Sequence, residues 1–169
     1  MVGVHTTEGK PATYRPGVRE HAQGAQQYIK SWKNSPRKAA AHMLIGQDAV
    51  VYQIADLQRE MAYHIPGLNR VSIGIEITQI NGVIYEGELV TLGLLCSFLA
   101  EEFGIQPMIH LPYRRAAVPR IAQGKFYGFL GHRDAANDRG EGDPGNRALE
   151  YLRDRCGFEA FDVSRGEDV

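Results

Sequence analysis

The chain alternates short apolar runs with longer stretches of helical character, a pattern that predicts strands interleaved with helices. The runs at 1–5 and 70–78 predict strands, and the second is apolar at most positions, as in a central strand buried on both faces. Two further runs, 39–46 and 49–54, flank the polar pair Gln47-Asp48 and predict a hairpin.

Three other stretches predict helices. Residues 18–32 follow a Pro-Gly pair, residues 86–103 form a long apolar run, and residues 144–158 begin at a proline and end beside a glycine. Strands interleaved with helices predict an α/β fold, with a mixed central β-sheet and helices packed on both faces. We expect a single domain over residues 1–160 and a tail over 161–169.

Composition and charge agree with one ordinary globular domain. A chain of 169 residues has the usual size of a single domain, and we expect a monomer. Its net charge of −1 gives no electrostatic basis for binding nucleic acid. The longest apolar segment, 89–105, contains a Thr and a Ser and reaches the pair Glu101-Glu102, so we expect a buried helix and no membrane span. The two cysteines, Cys96 and Cys156, predict no disulfide framework.

Two histidines stand where apolar segments give way to polar loops, and such positions are common in functional sites. His5 ends the first predicted strand, and His132 follows "FYGFLG" and opens a Gly-rich loop. Two histidines, one carboxylate and an open fourth position are typical of catalytic rather than structural zinc. The residues therefore predict a zinc site, with four loop carboxylates as candidates for the third ligand: Asp134, Asp138, Glu141 and Asp143.

Glu76 lies in the middle of the strand predicted at 70–78. A buried carboxylate costs free energy unless it is paired or faces a cavity. Two interpretations stay open: an edge position that faces solvent, or a cavity-facing general base with a raised pKa.

Four segments of the chain carry distinctive combinations of residues: "VGVHTTEG", "AAHMLIGQDAVVYQI", "MAYHIPGLNRVSIGIEIT" and "GHRDAANDRGEGDPG". Together they resemble the zinc-dependent N-acetylmuramoyl-L-alanine amidases, a family that includes peptidoglycan recognition proteins and phage lysozyme-like amidases. The third segment is the most specific, because it combines a groove histidine, an asparagine and a Ser-Ile-Gly-Ile-Glu strand. The resemblance extends from about Val2 to Phe158.

The resemblance implies a metal centre that binds one Zn²⁺ per chain. The zinc ligands would be His5, His132 and Asp143, because Asp143 is the loop acid followed by Pro-Gly, as in the family. The spacing between His132 and Asp143 is one residue longer than is common in the family, so Asp138 or Glu141 is an alternative ligand.

The resemblance also implies the residues that act on substrate. Glu76 would be the acid/base. Members of the family that lack this Glu often use a tyrosine instead, but Ala41 stands at that position here, so no tyrosine could replace Glu76 there. Arg139 stands near the position of a family lysine and would stabilise the oxyanion.

Further residues are candidates for binding substrate. His64 and Asn69 would grip glycan or peptide, although Asn69 could instead cap the turn before its strand. Tyr63 and Tyr113 could stack on sugar rings or simply pack, and we expect the segment 109–127 to form a lid or groove wall.

The function that the resemblance implies is hydrolysis of the amide between N-acetylmuramic acid and the L-alanine of the stem peptide in bacterial peptidoglycan or muropeptides. Zinc would activate a water molecule, and Glu76 would move its proton to the leaving amine. No secretory signal is visible before the first predicted strand in the given sequence. We therefore expect a protein that is cytoplasmic until it reaches the wall, as a phage endolysin or in wall remodelling, or that recycles fragments in the cytoplasm, or that is secreted if a leader was removed.

A second class of function is recognition without cleavage. Some relatives bind peptidoglycan without cutting it, usually because a zinc ligand has been lost. All three implied ligands are present in this chain, which favours the enzyme.

Overall fold

The computed structural model describes residues 1–7, 20–34, 41–79, 83–110, 127–135 and 143–161. Several predictions concern residues outside these ranges, and the structure says nothing of them. They are the roles of Arg139 and Tyr113, the alternative ligands Asp138 and Glu141, residues 111–126 of the lid or groove wall expected at 109–127, and residues 162–169 of the tail expected at 161–169.

A seven-stranded sheet forms the centre of the described part of the chain. Its spatial order is β3-β2-β4-β1-β6-β5-β7, and every neighbouring pair is parallel except the antiparallel hairpin of β2 and β3. The predicted mixed sheet is confirmed, and the strand predicted at 70–78 is central. The strands are β1 (Val2–Thr6), β2 (Met43–Ile45), β3 (Val51–Gln53), β4 (Ile73–Ile77), β5 (Met108–His110), β6 (Phe129–Gly131) and β7 (Glu159–Phe161).

Four helices accompany the sheet in the described ranges. The helix predicted at 86–103 matches the structure at both ends, and those predicted at 18–32 and 144–158 correspond to shifted or shorter helices. Within these ranges no helix has the length and apolar character needed to cross a membrane. The helices are α1 (Glu20–Asn34), α2 (Glu86–Phe103), α3 (His132–Ala135) and α4 (Asn146–Cys156).

The two faces of the central strands have different roles because successive side chains of a strand point to opposite sides of the sheet. One face packs against α2 and α4 and forms the main core. The opposite face carries the register pairs Gly3–Gly74 and His5–Glu76 of β1 and β4. The strand residues in the main core are Val2, Val4, Met43, Ile45, Ile73, Ile75, Ile77, Ile109 and Phe129.

Three strands at one end of the sheet, β6, β5 and β7, were not predicted as strands from the sequence, although the apolar segment of β6 was noted. β5 and β7 are three residues long and pair in parallel with each other. So short a run shows little alternation, and its strand conformation depends on partners far away in sequence.

The core supports a prediction about stability. Leu92 of α2 is completely buried in the main core, so Leu92→Ala is expected to lower the free energy of unfolding by about 2–5 kcal/mol through lost contacts and a residual cavity. Leu94 lies on the same helix with 70% of its surface exposed, and Leu94→Ala is the matched control, with an expected change within about 0.5 kcal/mol. Urea unfolding of both variants measures the difference, and equal losses would contradict this assignment of the core.

Candidate metal centre and active-site cavity

A polar cavity of about 240 Å³ opens at the carboxyl ends of β1 and β4. Parallel strands bring their ends to the same edge of a sheet, and register pairing sets His5 beside Glu76 there. The described residues that line the cavity are His5, Thr6, Thr7, Tyr28, Trp32, Tyr63, His64, Glu76, His132 and Asp143.

Three metal-binding side chains converge in this cavity from different parts of the chain. The Nδ1 atoms of His5 and His132 lie 2.9 Å apart, and His132 Nδ1 lies 3.2 Å from a carboxylate oxygen of Asp143. All three residues are buried, and one ligand atom of each lies within 4.8 Å of the others. The structure thus brings together the three residues that the resemblance implies as metal ligands.

The geometry of these three donors fits a small divalent cation. Tetrahedral zinc with bonds of about 2.0–2.1 Å to nitrogen and oxygen holds its ligand atoms roughly 3.3 Å apart. The separations of 2.9 and 3.2 Å approach that value. At this range the lone pairs of two imidazole nitrogens and a carboxylate oxygen repel one another unless a proton or a cation lies between them. The donor set therefore suits a metal centre.

Backbone contacts fix the position of Asp143. Its carboxylate accepts a hydrogen bond of 2.9 Å from the backbone N–H of Thr6, one residue beyond His5. Its own carbonyl accepts one of 3.0 Å from the N–H of Arg133, one residue beyond His132. Asp143 is therefore tied to both segments that carry the histidines.

A second acid of the same loop has a different environment. The carboxylate of Asp134 accepts a 3.0 Å hydrogen bond from the backbone N–H of Gly131 and lies 3.8 Å from the guanidinium of Arg133. Asp134 is completely buried. These contacts give Asp134 a structural role at the start of α3.

Glu76 belongs to the central strand β4 and lines the cavity next to His5. Its side chain is only partly buried. Of the two interpretations left open by the sequence, the structure therefore agrees with a carboxylate that faces a cavity, since β4 lies between β1 and β2 rather than at an edge.

His64 also reaches the cavity, but it is a buried residue. Its Nδ1 lies 3.0 Å from Nε2 of His5, and its Nε2 lies 3.1 Å from the hydroxyl of Ser72. Burial lowers the pKa of His64 to about 4, so its imidazole is neutral at neutral pH. The predicted substrate contact of His64 stays a prediction.

Asn69 and Tyr63 have different surroundings. The side-chain oxygen of Asn69 accepts hydrogen bonds from the backbone N–H groups of His64 and Ile65, at 2.8 and 2.7 Å. Asn69 thus caps the turn before β4, and it is not among the described residues that line the cavity. Tyr63 does line it, with 51% of its surface exposed.

Two aromatic residues of the cavity were not singled out from the sequence. Tyr28 and Trp32 are one helical turn apart on α1, and their ring centroids lie 6.2 Å apart. Both line the cavity that holds the three converging side chains. The i, i+4 spacing of two aromatic rings was the available signal, but it cannot tell which part of the sheet the helix faces.

Comparison with known proteins agrees with the resemblance. The model of the N-acetylmuramoyl-L-alanine amidase family matches residues 1–146. That match covers more than half of the chain, including β1, β4 and the loop that ends at Asp143. Among curated proteins, no sequence matches the chain.

Solved structures with the same fold include N-acetylmuramoyl-L-alanine amidase LysC from Clostridium intestinale URNW, with 16% identity, a TM-score of 0.57 and coverage of 94% of this chain and 85% of that one. Peptidoglycan recognition protein-LE in complex with tracheal cytotoxin has 16% identity and a TM-score of 0.58, with 97% and 83% covered. Ph2119 endolysin from Thermus scotoductus MAT2119 bacteriophage Ph2119 has 15% identity and a TM-score of 0.50, with 89% and 82% covered.

Proposed function

The chain belongs to the N-acetylmuramoyl-L-alanine amidase family, and from this premise we propose that it is a zinc-dependent enzyme that cleaves the amide between N-acetylmuramic acid and the L-alanine of the stem peptide. The observation that carries the proposal is the convergence of His5, His132 and Asp143 in one cavity that Glu76 also lines.

The ligand set supports the cofactor part of the proposal. His5, His132 and Asp143 would hold the ion and leave a fourth position open, as catalytic zinc requires. When bound there, zinc supplies Lewis-acid chemistry, lowering the pKa of a water molecule and polarising the amide carbonyl.

Glu76 is proposed as the group that moves the proton. A carboxylate at the cavity wall can accept a proton from the attacking water and deliver it to the leaving amine of L-alanine. Arg139 is proposed to stabilise the oxyanion of the tetrahedral intermediate, since a guanidinium stays positively charged throughout the reaction. Arg139 lies outside the described residues.

The aromatic wall, defined as Tyr28, Trp32 and Tyr63, is proposed to hold the glycan or stem peptide beside the metal centre. Flat aromatic faces contact the apolar faces of pyranose rings, and the partial exposure of these side chains leaves surface for such a contact. We also propose that the chain acts either as an endolysin-type enzyme or in wall remodelling or recycling.

Trp32→Ala is expected to raise KM by roughly 2- to 10-fold with little change in kcat, because an aromatic contact is worth about 0.5–1.5 kcal/mol and an indole provides neither a metal ligand nor an acid–base group. Initial rates on a soluble muropeptide measure both constants. Phe98→Ala is the matched control, since Phe98 is 53% exposed on α2 and is not among the described residues at the cavity. An unchanged KM in the Trp32 variant would remove Trp32 from the proposed wall.

The proposal is tested by metal analysis combined with dye release from labelled cell walls. We expect one zinc per chain, release that stops on chelation, and recovery when zinc is added back. Protein that carries no zinc and releases no dye, but sediments with walls, would indicate recognition without cleavage. Release that persists in metal-free protein would contradict the role of zinc.

A further inference from the structure

The ring of His64 packs against two glycines on the face of the sheet that carries His5 and Glu76. Gly3 and Gly74 are register partners on β1 and β4, and the His64 ring lies against both. A Cβ atom built on Gly74 would lie 2.6 Å from Cγ of His64, and one built on Gly3 would lie 3.1 Å from its ring. A side chain at Gly74 would therefore displace the imidazole, and one at Gly3 would collide with Ile65 and press on the ring.

Hydrogen bonds on one side of His64 determine which of its nitrogens carries the proton. The Ser72 hydroxyl donates to the Leu68 carbonyl at 2.7 Å, so its oxygen is left to accept from its other neighbours. That oxygen lies 3.1 Å from Nε2 of His64, and the Ser72 carbonyl, which can only accept, lies 3.3 Å from the same atom. Nε2 of His64 must therefore be the donor, and Nδ1 of the neutral ring is an acceptor.

The hydrogen bonds continue from His64 to His5. Nδ1 of His64 lies 3.0 Å from Nε2 of His5, and since Nδ1 of His64 accepts, Nε2 of His5 donates. A neutral His5 then has its lone pair on Nδ1, the atom that faces His132 at 2.9 Å. The hydrogen bonds that link Leu68, Ser72, His64 and His5 thus direct the lone pair of His5 toward the metal centre.

We propose that His64 is a positioning residue of the metal centre, which holds His5 in the tautomer and orientation that present Nδ1 to the ion. This inference rests on the proposed function. It gives His64 a role through His5 in place of the direct substrate contact expected from the sequence. A partner on the second nitrogen of a metal-bound histidine fixes its ring and raises its basicity, and removing such a partner typically weakens metal binding by about 10–100-fold.

The test compares two replacements of His64 that differ in one property. In His64→Asn the amide oxygen can take the place of Nδ1 and accept from His5, whereas His64→Leu fills similar space without an acceptor. Zinc affinity is measured for each by competition with a chromophoric chelator. We expect His64→Leu to bind zinc about 10–100-fold more weakly than the original protein and His64→Asn to recover most of that loss.

A second readout and a control separate this role from general stability. Cobalt substitution reports ligand geometry in the visible spectrum, and we expect a changed spectrum for His64→Leu only. The control is His42→Asn, because His42 is also buried, contacts backbone groups of Glu60 and Gly74, and has its ring centroid 5.8 Å from that of His64. That variant should lose stability but keep the zinc affinity.

The outcomes distinguish this inference from the function on which it rests. If the original protein binds no zinc, the proposed function fails. If the original protein binds zinc and cleaves its substrate, but His64→Leu keeps full zinc affinity and only KM rises, His64 contacts substrate and the positioning role is wrong. Equal losses of affinity in the Asn and Leu variants would also overturn it, because the acceptor would then have no effect.

Discussion

Asp143→Ala is expected to lose its metal and to hydrolyse peptidoglycan at least about 10³-fold more slowly, because the several kcal/mol of transition-state stabilisation that a metal supplies correspond to such a factor. The side chain of Asp143 lies 3.2 Å from Nδ1 of His132 and provides the one carboxylate of the proposed ligand set. Without it, two imidazoles remain, which is too few to retain zinc during dialysis.

Asp143→Asn is the matched control for this prediction. The amide oxygen can still accept the hydrogen bond that Thr6 donates at 2.9 Å, so the loop keeps its tie to β1 while the negative charge is lost. Zinc content after dialysis and thermal unfolding of the apoproteins measure the two effects separately. We expect the Asn variant to unfold like the original apoprotein and to bind zinc weakly. An Ala variant that keeps one equivalent of zinc would show that another residue supplies the third ligand.

Glu76→Gln is expected to keep zinc bound and to lower kcat by about 10²–10⁴-fold, the usual contribution of a general acid–base group. The substitution keeps the shape of the side chain next to His5 but removes its ability to take up a proton. Because Glu76 is not one of the three converging ligands, the metal content should not change.

Glu88→Gln tests whether removing the charge of a carboxylate elsewhere in the fold would lower kcat in the same way. Glu88 is completely buried on α2, where it accepts hydrogen bonds from the hydroxyl of Thr78 and the backbone N–H of Tyr85, both at 2.8 Å. This change should lower stability and leave kcat per folded molecule unaltered. Steady-state rates and zinc analysis on both variants decide the question, and an unchanged rate in Glu76→Gln would remove Glu76 from the mechanism.

The sequence predicts best the elements with strong local patterns. Helix α2 is long and apolar and is interrupted by few polar residues, so its bounds follow from the chain itself. β4 is apolar at most positions, which agrees with its central position. β5 and β7 could not be predicted, because their three residues become strands only through pairing with distant segments.

The residues of the candidate site also differ in how far the sequence predicts their positions. Local pattern was enough to place His5 at the end of a strand and Glu76 within another strand. That the two residues are adjacent depends on the pairing of β1 with β4. Asp143 could be chosen among four loop acids only through the family resemblance. The aromatic residues of α1 had no sequence signal for their location, because the orientation of a helix relative to the sheet is set by tertiary packing.

The central claim is that this cavity performs metal-dependent hydrolysis of the muramoyl–alanine amide. The most direct test is mass spectrometry of purified peptidoglycan after incubation with the protein, with and without a zinc chelator. We predict free stem peptides that begin in alanine, released without any cleavage of glycosidic bonds. These peptides should be absent under chelation and return when zinc is added. New reducing sugar ends, cuts within the stem peptide, or the same products from metal-free protein would contradict it.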